Sequence, residues 1–440
     1  MPDELRIAWF TPLSRRSAIG EFSVHVAAEL AKFATVRLWT SDEPPLLETD
    51  LPVARYRPGS SELDGLRQCD AIVYNMGDYL PFHDDIHEVS REHPGVVILH
   101  DRVLHHLFAG KWLMGPDASR ELYVERMRAY YGEHGAEAAH LSLEGERRPV
   151  WESDEETLAY PLYEEGILGA HGVITHSEGQ AEDVRSRWFG PVRALHLPCY
   201  SDTLREVDGA PPAPTDGPLR LLTVGHLNPN KQVHRVVEML AADRELAACV
   251  HYTIAGPDDG FKSYVSDLRR FVARHADRLN VEIVGWQPPK HLDELMRRAD
   301  IFVNLRHPAM EGGSASLMRQ LAYGRPVLCF GSGFFGEMPG DALVRVASGD
   351  FPAAAQALRE LVDDRSHRLA VGKRARSLAA SYNERVYVEG VLALIDESRR
   401  AAPALGFLDS VGRELGNMHV DSRLPTFENI ATDFARILAL

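Results

Sequence analysis

Four short stretches carry the residues whose types and spacing suit chemistry. In VGHLNPNKQ a strand ends at Val224, the chain turns at Gly225, and His226 and Lys231 stand just before a helical stretch. A lysine there reaches a diphosphate, and the positive end of the following helix adds to its pull. An ordinary strand-to-helix turn with an exposed Lys is the competing reading. In RHPAMEGGSASLMRQLAYGRPVLCF, Glu311 precedes Gly312 and Gly313, and Ser314, Ala315 and Ser316 open a helix that Ser314 can cap. The glycines let backbone amides approach a ligand, the helix start suits a phosphate, and Glu311 can grip hydroxyls as a charged acceptor. Read alone, Glu311 or Ser314 does no more than cap the helix. In TPLSRRSAIGEFS, Gly20 opens a helical pattern through Val24, Ala27 and Leu30, with Arg15 and Arg16 as local positive charge or a solvated basic turn. In VVILHDRVLHH, His100 and Asp101 follow a buried strand. An imidazole there can bond a hydroxyl, or donate to developing charge when protonated; a satisfied core histidine is the alternative.

Two further arrangements are weighed and set aside. His83 and His87 in HDDIH are four apart and could share a helix face toward zinc, but they have no thiolate partner and no clear third ligand, so no metal is expected. The loop at Gly20 lacks the G-x-G-x-x-G spacing of a dinucleotide site, which argues against a nicotinamide dehydrogenase.

These residues need elements to hold them. RIAWFTP, TVRLWTS, DAIVYNMG, GVVILHD, GVITHS and VRALHLP are near-continuous apolar runs of the kind that builds a buried parallel sheet. DGAPPAPTDGP, residues 208–218, is too rich in Pro and Gly for an element and reads as a linker. A second series follows in LRLLTVG, HYTIAG, VEIVGW, IFVNL, PVLCF and ALVRVA. The expected fold is α/β, with a doubly wound, Rossmann-like domain over 1–207 and another over 219–397. Two such domains create a cleft, and ligands of such sheets bind beyond the carboxyl ends of the strands. Gly110 to Tyr163 reads as a helical insertion, and its Lys111, Trp112, Tyr130 and Tyr131 are candidate acceptor contacts. The tail 398–440, ending in PTFENIATDFARILAL, reads as helical and able to cross back onto the first domain.

Length and composition agree with this division. A chain of 440 residues exceeds what one core organises, and its net charge of −16 argues against a general binder of nucleic acid or anionic membranes. Cys69, Cys199, Cys249 and Cys329 lie far apart, so no disulfide framework or thiolate zinc site is suggested. With no long apolar run, the expectation is a soluble cytoplasmic protein, peripheral membrane association remaining open.

Together the four stretches resemble the retaining GT-B glycosyltransferases, specifically family four, over residues 6 to about 397. The Glu in a glycine loop, the helix and the Gly-x-Pro-Val of EGGSASLMRQLAYGRPV are the strongest match. The resemblance implies transfer of a sugar from a nucleotide-diphosphate sugar to an acceptor hydroxyl, with anomeric retention and no metal or other cofactor. It implies that Glu311 holds the donor sugar, that the amides of Gly312 to Ser316 cover sugar and phosphate, and that Lys231 neutralises diphosphate oxygens. Trp286 and Gln287 would meet the base through their backbone, His100 would stand beside the transferred sugar, and Gly20 would lie in the phosphate-facing loop. The chain is similar to a bacterial subgroup acting in polysaccharide or secondary-metabolite assembly. It departs from the family at His226, where Arg is usual, and at Arg319, where a ribose-binding Glu is common. A sugar-nucleotide epimerase or a non-catalytic nucleotide-sugar-binding partner of another transferase remain as alternative readings. An epimerase converts the nucleotide sugar with no acceptor present; a non-catalytic partner binds it without turnover.

Overall fold

The computed structural model describes residues 5–115, 118–207, 217–258 and 260–417. Most of the linker, 208–216, and the PTFENIATDFARILAL tail lie outside these described residues. The chain divides into two compact units. One comprises Met1–His196, Met310–Gly313 and Tyr387–Leu440, and the other Leu197–Ala309 and Ser314–Val386.

The first unit is built on seven strands, β1 (Arg6–Phe10), β2 (Thr35–Thr40), β3 (Val53–Arg55), β4 (Ala71–Met76), β5 (Val96–Leu99), β6 (Gly172–Thr175) and β7 (Val192–Ala194), in the order β3-β2-β1-β4-β5-β6-β7. Every pairing is parallel. The central strands are mostly apolar because helices cover both faces, and their few polar residues, such as Asn75 and Thr175, are buried. Phe10 anchors that core, stacked on Trp39 at 5.5 Å and meeting Tyr56 edge-on at 5.0 Å. Six of these strands are the apolar runs of the first half; β3 is the addition, a three-residue edge strand directly after Pro52.

Helices His105–Met114, Arg120–Glu144, Asp154–Ala159 and Tyr163–Gly166 form the region of the expected insertion. Its aromatics are occupied by their own unit. Trp112 is buried and stacks on Phe108 at 5.2 Å. Tyr130 donates to Glu165 at 2.6 Å, Tyr131 donates to Glu164 at 2.8 Å, and Lys111 pairs with Asp84 and Glu88. The acceptor contact expected of these four side chains therefore competes with bonds they already make.

The long C-terminal helix Glu384–Asn417 joins the first unit from Tyr387 onward. It buries Tyr387, Val388, Val391, Leu394 and Ile395. Two glycines make the close approach possible: a Cβ on Gly172 would fall 2.0 Å from Ser398 Oγ, and one on Gly390 would fall 2.4 Å from Leu195. Arg193 and Glu397 close the contact with an ion pair at 2.5 Å.

The second unit has six strands, β8 (Leu219–Val224), β9 (Val250–Ala255), β10 (Val281–Gly285), β11 (Ile301–Asn304), β12 (Val327–Phe330) and β13 (Val344–Val346), ordered β10-β9-β8-β11-β12-β13. Its pairings are also all parallel. Such pairing requires crossover connections, and the helices that make them cover the sheet. No helix among the described residues is long and apolar enough to cross a membrane.

Candidate functional site

In the second unit, β8 and β11 are neighbours, so the loops leaving their carboxyl ends lie side by side. Gly225 leaves β8 with φ of 123°, a conformation that favours glycine. The chain then makes a short 3-10 turn over Pro229–Lys231 before the helix Val233–Ala242. This turn brings the Lys231 ammonium back over Gly225, where a Cβ would stand 2.9 Å from Nζ. The His226 imidazole packs over Gly260, with Cε1 2.9 Å from the position of a Cβ there. The turn is tied to the loop after β11, because His307 N donates to Asn230 O at 2.8 Å and Gln232 Nε2 donates to His307 O at 2.8 Å. Asn228 Oδ1 and Asn230 Oδ1 are buried without a hydrogen-bond partner.

The loop after β11 leads to the helix Ala315–Ala322, whose N-cap Ser314 accepts from Leu317 N at 3.2 Å. Ser316 Oγ lies 3.1 Å from Ser314 Oγ and accepts from Arg306 Nη2 at 3.2 Å. Arg306 also donates to Asn304 Oδ1 at 3.2 Å, and it is buried. A buried guanidinium beside a helix start is a concentrated positive site. Sequence reasoning passed over it, although it stands immediately after the apolar run IFVNL, at the strand end where function was expected. Arg319 is on the same helix, near Tyr323 and Asp293, with Nε buried and without a partner. At the end of β10, Trp286 is exposed and Gln287 donates to Val284 O at 2.8 Å.

In the first unit, β5 leads into His100 and Asp101 between the ends of β4 and β6. Glu311 joins here through an isolated antiparallel bridge between its backbone and that of Asp101. Gly312 packs so closely that a Cβ would stand 2.3 Å from Gln180 Oε1 and 3.2 Å from His100 O. Gly313 closes this short segment of the first unit. His100 meets Asn75 Oδ1 through Nε2 at 2.9 Å and His176 Nε2 through Nδ1 at 3.1 Å. Burial, then the neighbouring His176 and His83, hold its pKa well below the ordinary value. It is therefore a neutral ring, and its chemistry here is hydrogen bonding rather than donation from an imidazolium. Asp101 moves the other way: burial first, then the charge of Asp78, push its pKa up to about 7 although Asp78 N donates to Oδ2 at 2.9 Å.

Gly20 has a structural explanation within the first unit. Its amide donates to Ser17 Oγ at 3.1 Å in the cap of the helix Ala18–Leu30, and a Cβ would fall 2.6 Å from Pro12 O. Gly20→Ala is expected to lower unfolding stability by about 1–3 kcal/mol through overpacking. Urea melts check this; an unchanged midpoint means the loop has room for a methyl group. His83 donates through Nδ1 to Asn75 O at 3.1 Å, and His87 packs edge-on to Phe108. Among the described residues no group of three His, Cys, Asp or Glu side chains is placed to hold a metal ion.

The structure thus forms two separate gatherings: Gly225, His226 and Lys231 with Ser314 and Ser316 in the second unit, and His100 with Glu311 and Gly312 in the first. Comparison with known proteins bears on the family and the fold. Residues 206–378 match the family model described as glycosyl transferases group 1. No curated protein sequence matches the chain. Among solved structures, HepE of Anabaena in complex with UDP and glucose is 13% identical, with 89% of this chain and 99% of that chain covered and a TM-score of 0.56. WaaG, a glycosyltransferase involved in lipopolysaccharide biosynthesis, is 16% identical over 88% of this chain and 99% of its own, with a TM-score of 0.56. Sucrose-phosphate synthase from Thermosynechococcus elongatus is 16% identical over 89% and 98%, with a TM-score of 0.55. The fold is accordingly the two-domain, Rossmann-like GT-B fold.

Proposed function

We propose that this chain is a retaining, metal-independent glycosyltransferase that draws its sugar from a nucleotide-diphosphate donor. The observation that carries this reading is the Lys231 turn. An ammonium is folded back over a positive-φ glycine at the end of β8, beside a loop that holds a buried arginine against the first turn of a serine-capped helix. That arrangement suits a diphosphate.

In the reaction the bond between the anomeric carbon and the diphosphate oxygen breaks, and negative charge gathers on the leaving diphosphate. Lys231, His226, Arg306 and the amides from Gly312 to Ser316 are the groups we assign to stabilise it. The acceptor oxygen bonds to the anomeric carbon on the face the diphosphate leaves, and its proton passes to a phosphate oxygen of the leaving group. Glu311 holds sugar hydroxyls, while Trp286 and Gln287 meet the base. No divalent ion is needed when fixed cations and amides do this work, so turnover is expected to persist in excess EDTA.

The direct test is a thermal-shift screen of UDP, GDP and dTDP. UDP comes first, because the similar HepE structure contains it. At ten or more times its dissociation constant, one of them raises the melting temperature by about 3–5 °C. A flat response to all three, at millimolar concentration, sinks the proposal.

A further inference from the structure

The two carboxyl oxygens of Asp101 have different surroundings. Oδ2 accepts from Asp78 N at 2.9 Å and stands 3.1 Å from where a Cβ on Gly77 would lie. Oδ1 meets no hydrogen-bonding group among the described residues, yet it is not one of the enclosed orphan atoms, and the residue is half-buried. Oδ1 therefore opens outward. Glu311 is the cross-strand neighbour, set opposite Asp101 by the isolated antiparallel bridge. Residues directly opposed in such a pair carry their side chains on one face, with Cβ atoms about 5 Å apart. Two carboxyl groups so placed oppose each other's ionisation, and one keeps a proton.

The other groups around Asp101 decide that the proton is its own. Burial raises the pKa of Asp78 as well, but that carboxyl has two donors, Leu107 N at 3.0 Å on Oδ1 and His106 Nδ1 at 2.5 Å on Oδ2. Burial works against a charge on His106, yet the bond to Asp78 holds its pKa above the ordinary value. His83, with Nε2 2.9 Å from the same Gly77 position, is neutral, since burial holds it down to about 4. Asp101 has one donor, and burial, then the charges of Asp78 and Glu311, push it up to about 7 against the opposing charge of His106. With Oδ2 engaged as an acceptor, the hydrogen sits on Oδ1.

We propose that Asp101 binds the sugar as a carboxylic acid, its Oδ1–H donating to the same ligand hydroxyl whose hydrogen Glu311 accepts. A hydroxyl has one hydrogen and two lone pairs. Between two carboxylates it satisfies one and turns a lone pair toward the other. Between a carboxylate and an acid it satisfies both. The pair thereby selects a hydroxyl at this position over an ammonium, which donates to both carboxyls and accepts from neither. That the hydroxyl belongs to the donor sugar rests on the function proposed above; the place of the proton does not.

The test begins on the ligand-free full chain labelled with 13C-aspartate, the Asp101 carboxyl being assigned by the signal lost in Asp101→Asn. Its titration midpoint is expected at about 7. A carboxyl already ionised at about pH 5 overturns the proposal whatever the chain catalyses. UDP-glucose, GDP-mannose and dTDP-glucose are then added, with UDP, GDP and dTDP as controls. The sugar nucleotide that binds is expected to lift the midpoint to about 8 or above, while its sugar-free nucleotide leaves it in place. By linkage, affinity for that sugar nucleotide falls about tenfold between about pH 6 and 9. In Asp101→Asn, whose Nδ2–H donates at every pH, this dependence disappears. A midpoint unmoved by a sugar nucleotide that binds, or an affinity that rises with pH, overturns the proposal and leaves the transferase reading standing. Should none of the six compounds bind, both fall.

Discussion

Replacing Lys231 by Ala is expected to lower kcat/KM for sugar transfer by about 10²–10³-fold, the usual effect of deleting one preorganised group that faces developing charge. The melting temperature should stay within a degree or two, because the half-buried Lys231 side chain is no part of the hydrophobic core. Most of the loss belongs in kcat, since charge on the diphosphate is greater in the transition state than in the bound donor. Glu311→Ala should cost a similar factor but weaken donor-sugar binding as well, because a hydroxyl clasp acts in both states. Its backbone bridge to Asp101 does not depend on the side chain, so folding is retained. Steady-state kinetics on the purified variants separate the two patterns. Full activity in either variant removes that residue from the mechanism.

The second large effect is on stability and comes from Asp101. Its carboxyl has a pKa of about 7 in the folded chain against an ordinary 3.8, so between those values the folded state holds a proton that the unfolded state has released. Stability from this group is complete below pH 3.8 and declines as pH rises through about 7. Asp101→Asn keeps the neutral shape and removes the titration. The variant should match the wild type in acid and exceed it by about 2–4 kcal/mol above pH 8, the side chain being partly exposed. Urea unfolding at several pH values reads this directly. A gap that stays constant with pH would show that Asp101 is ionised throughout.

The lysine turn and the glycine loop were open to sequence reading because their parts are local. Gly225, His226 and Lys231 fall within seven residues, and Glu311 to Ser316 are consecutive, so strand, turn and helix signals sufficed to place them. Twelve strands were visible as apolar runs for the same reason. Strand β3 was not, since Val53, Ala54 and Arg55 are half-exposed at an edge and carry no core pattern. Asn75, His176 and Arg306 were missed because their importance comes from neighbours distant in sequence. Parallel pairing sets the end of β5 between those of β4 and β6 and thereby brings Asn75, His100 and His176 into hydrogen-bond contact. A general signal was present: each of the three is a polar residue at the end of an apolar run. The insertion misled for the opposite reason. Tyrosines and charges at helical spacing read equally well as a binding face or as packing, and here Tyr131 and Tyr130 are engaged by the buried Glu164 and Glu165.

The helix Glu384–Asn417 has a consequence for how the molecule is made. The sheet of the first unit is synthesised before the second unit yet covered by a helix synthesised after it, since Tyr387, Val388, Val391 and Leu394 are buried in the first unit. During synthesis the β6–β7 flank stays uncovered while the whole second unit is translated. The unit whose sheet is made first is therefore completed only after the other has been made, and loss of this helix injures it.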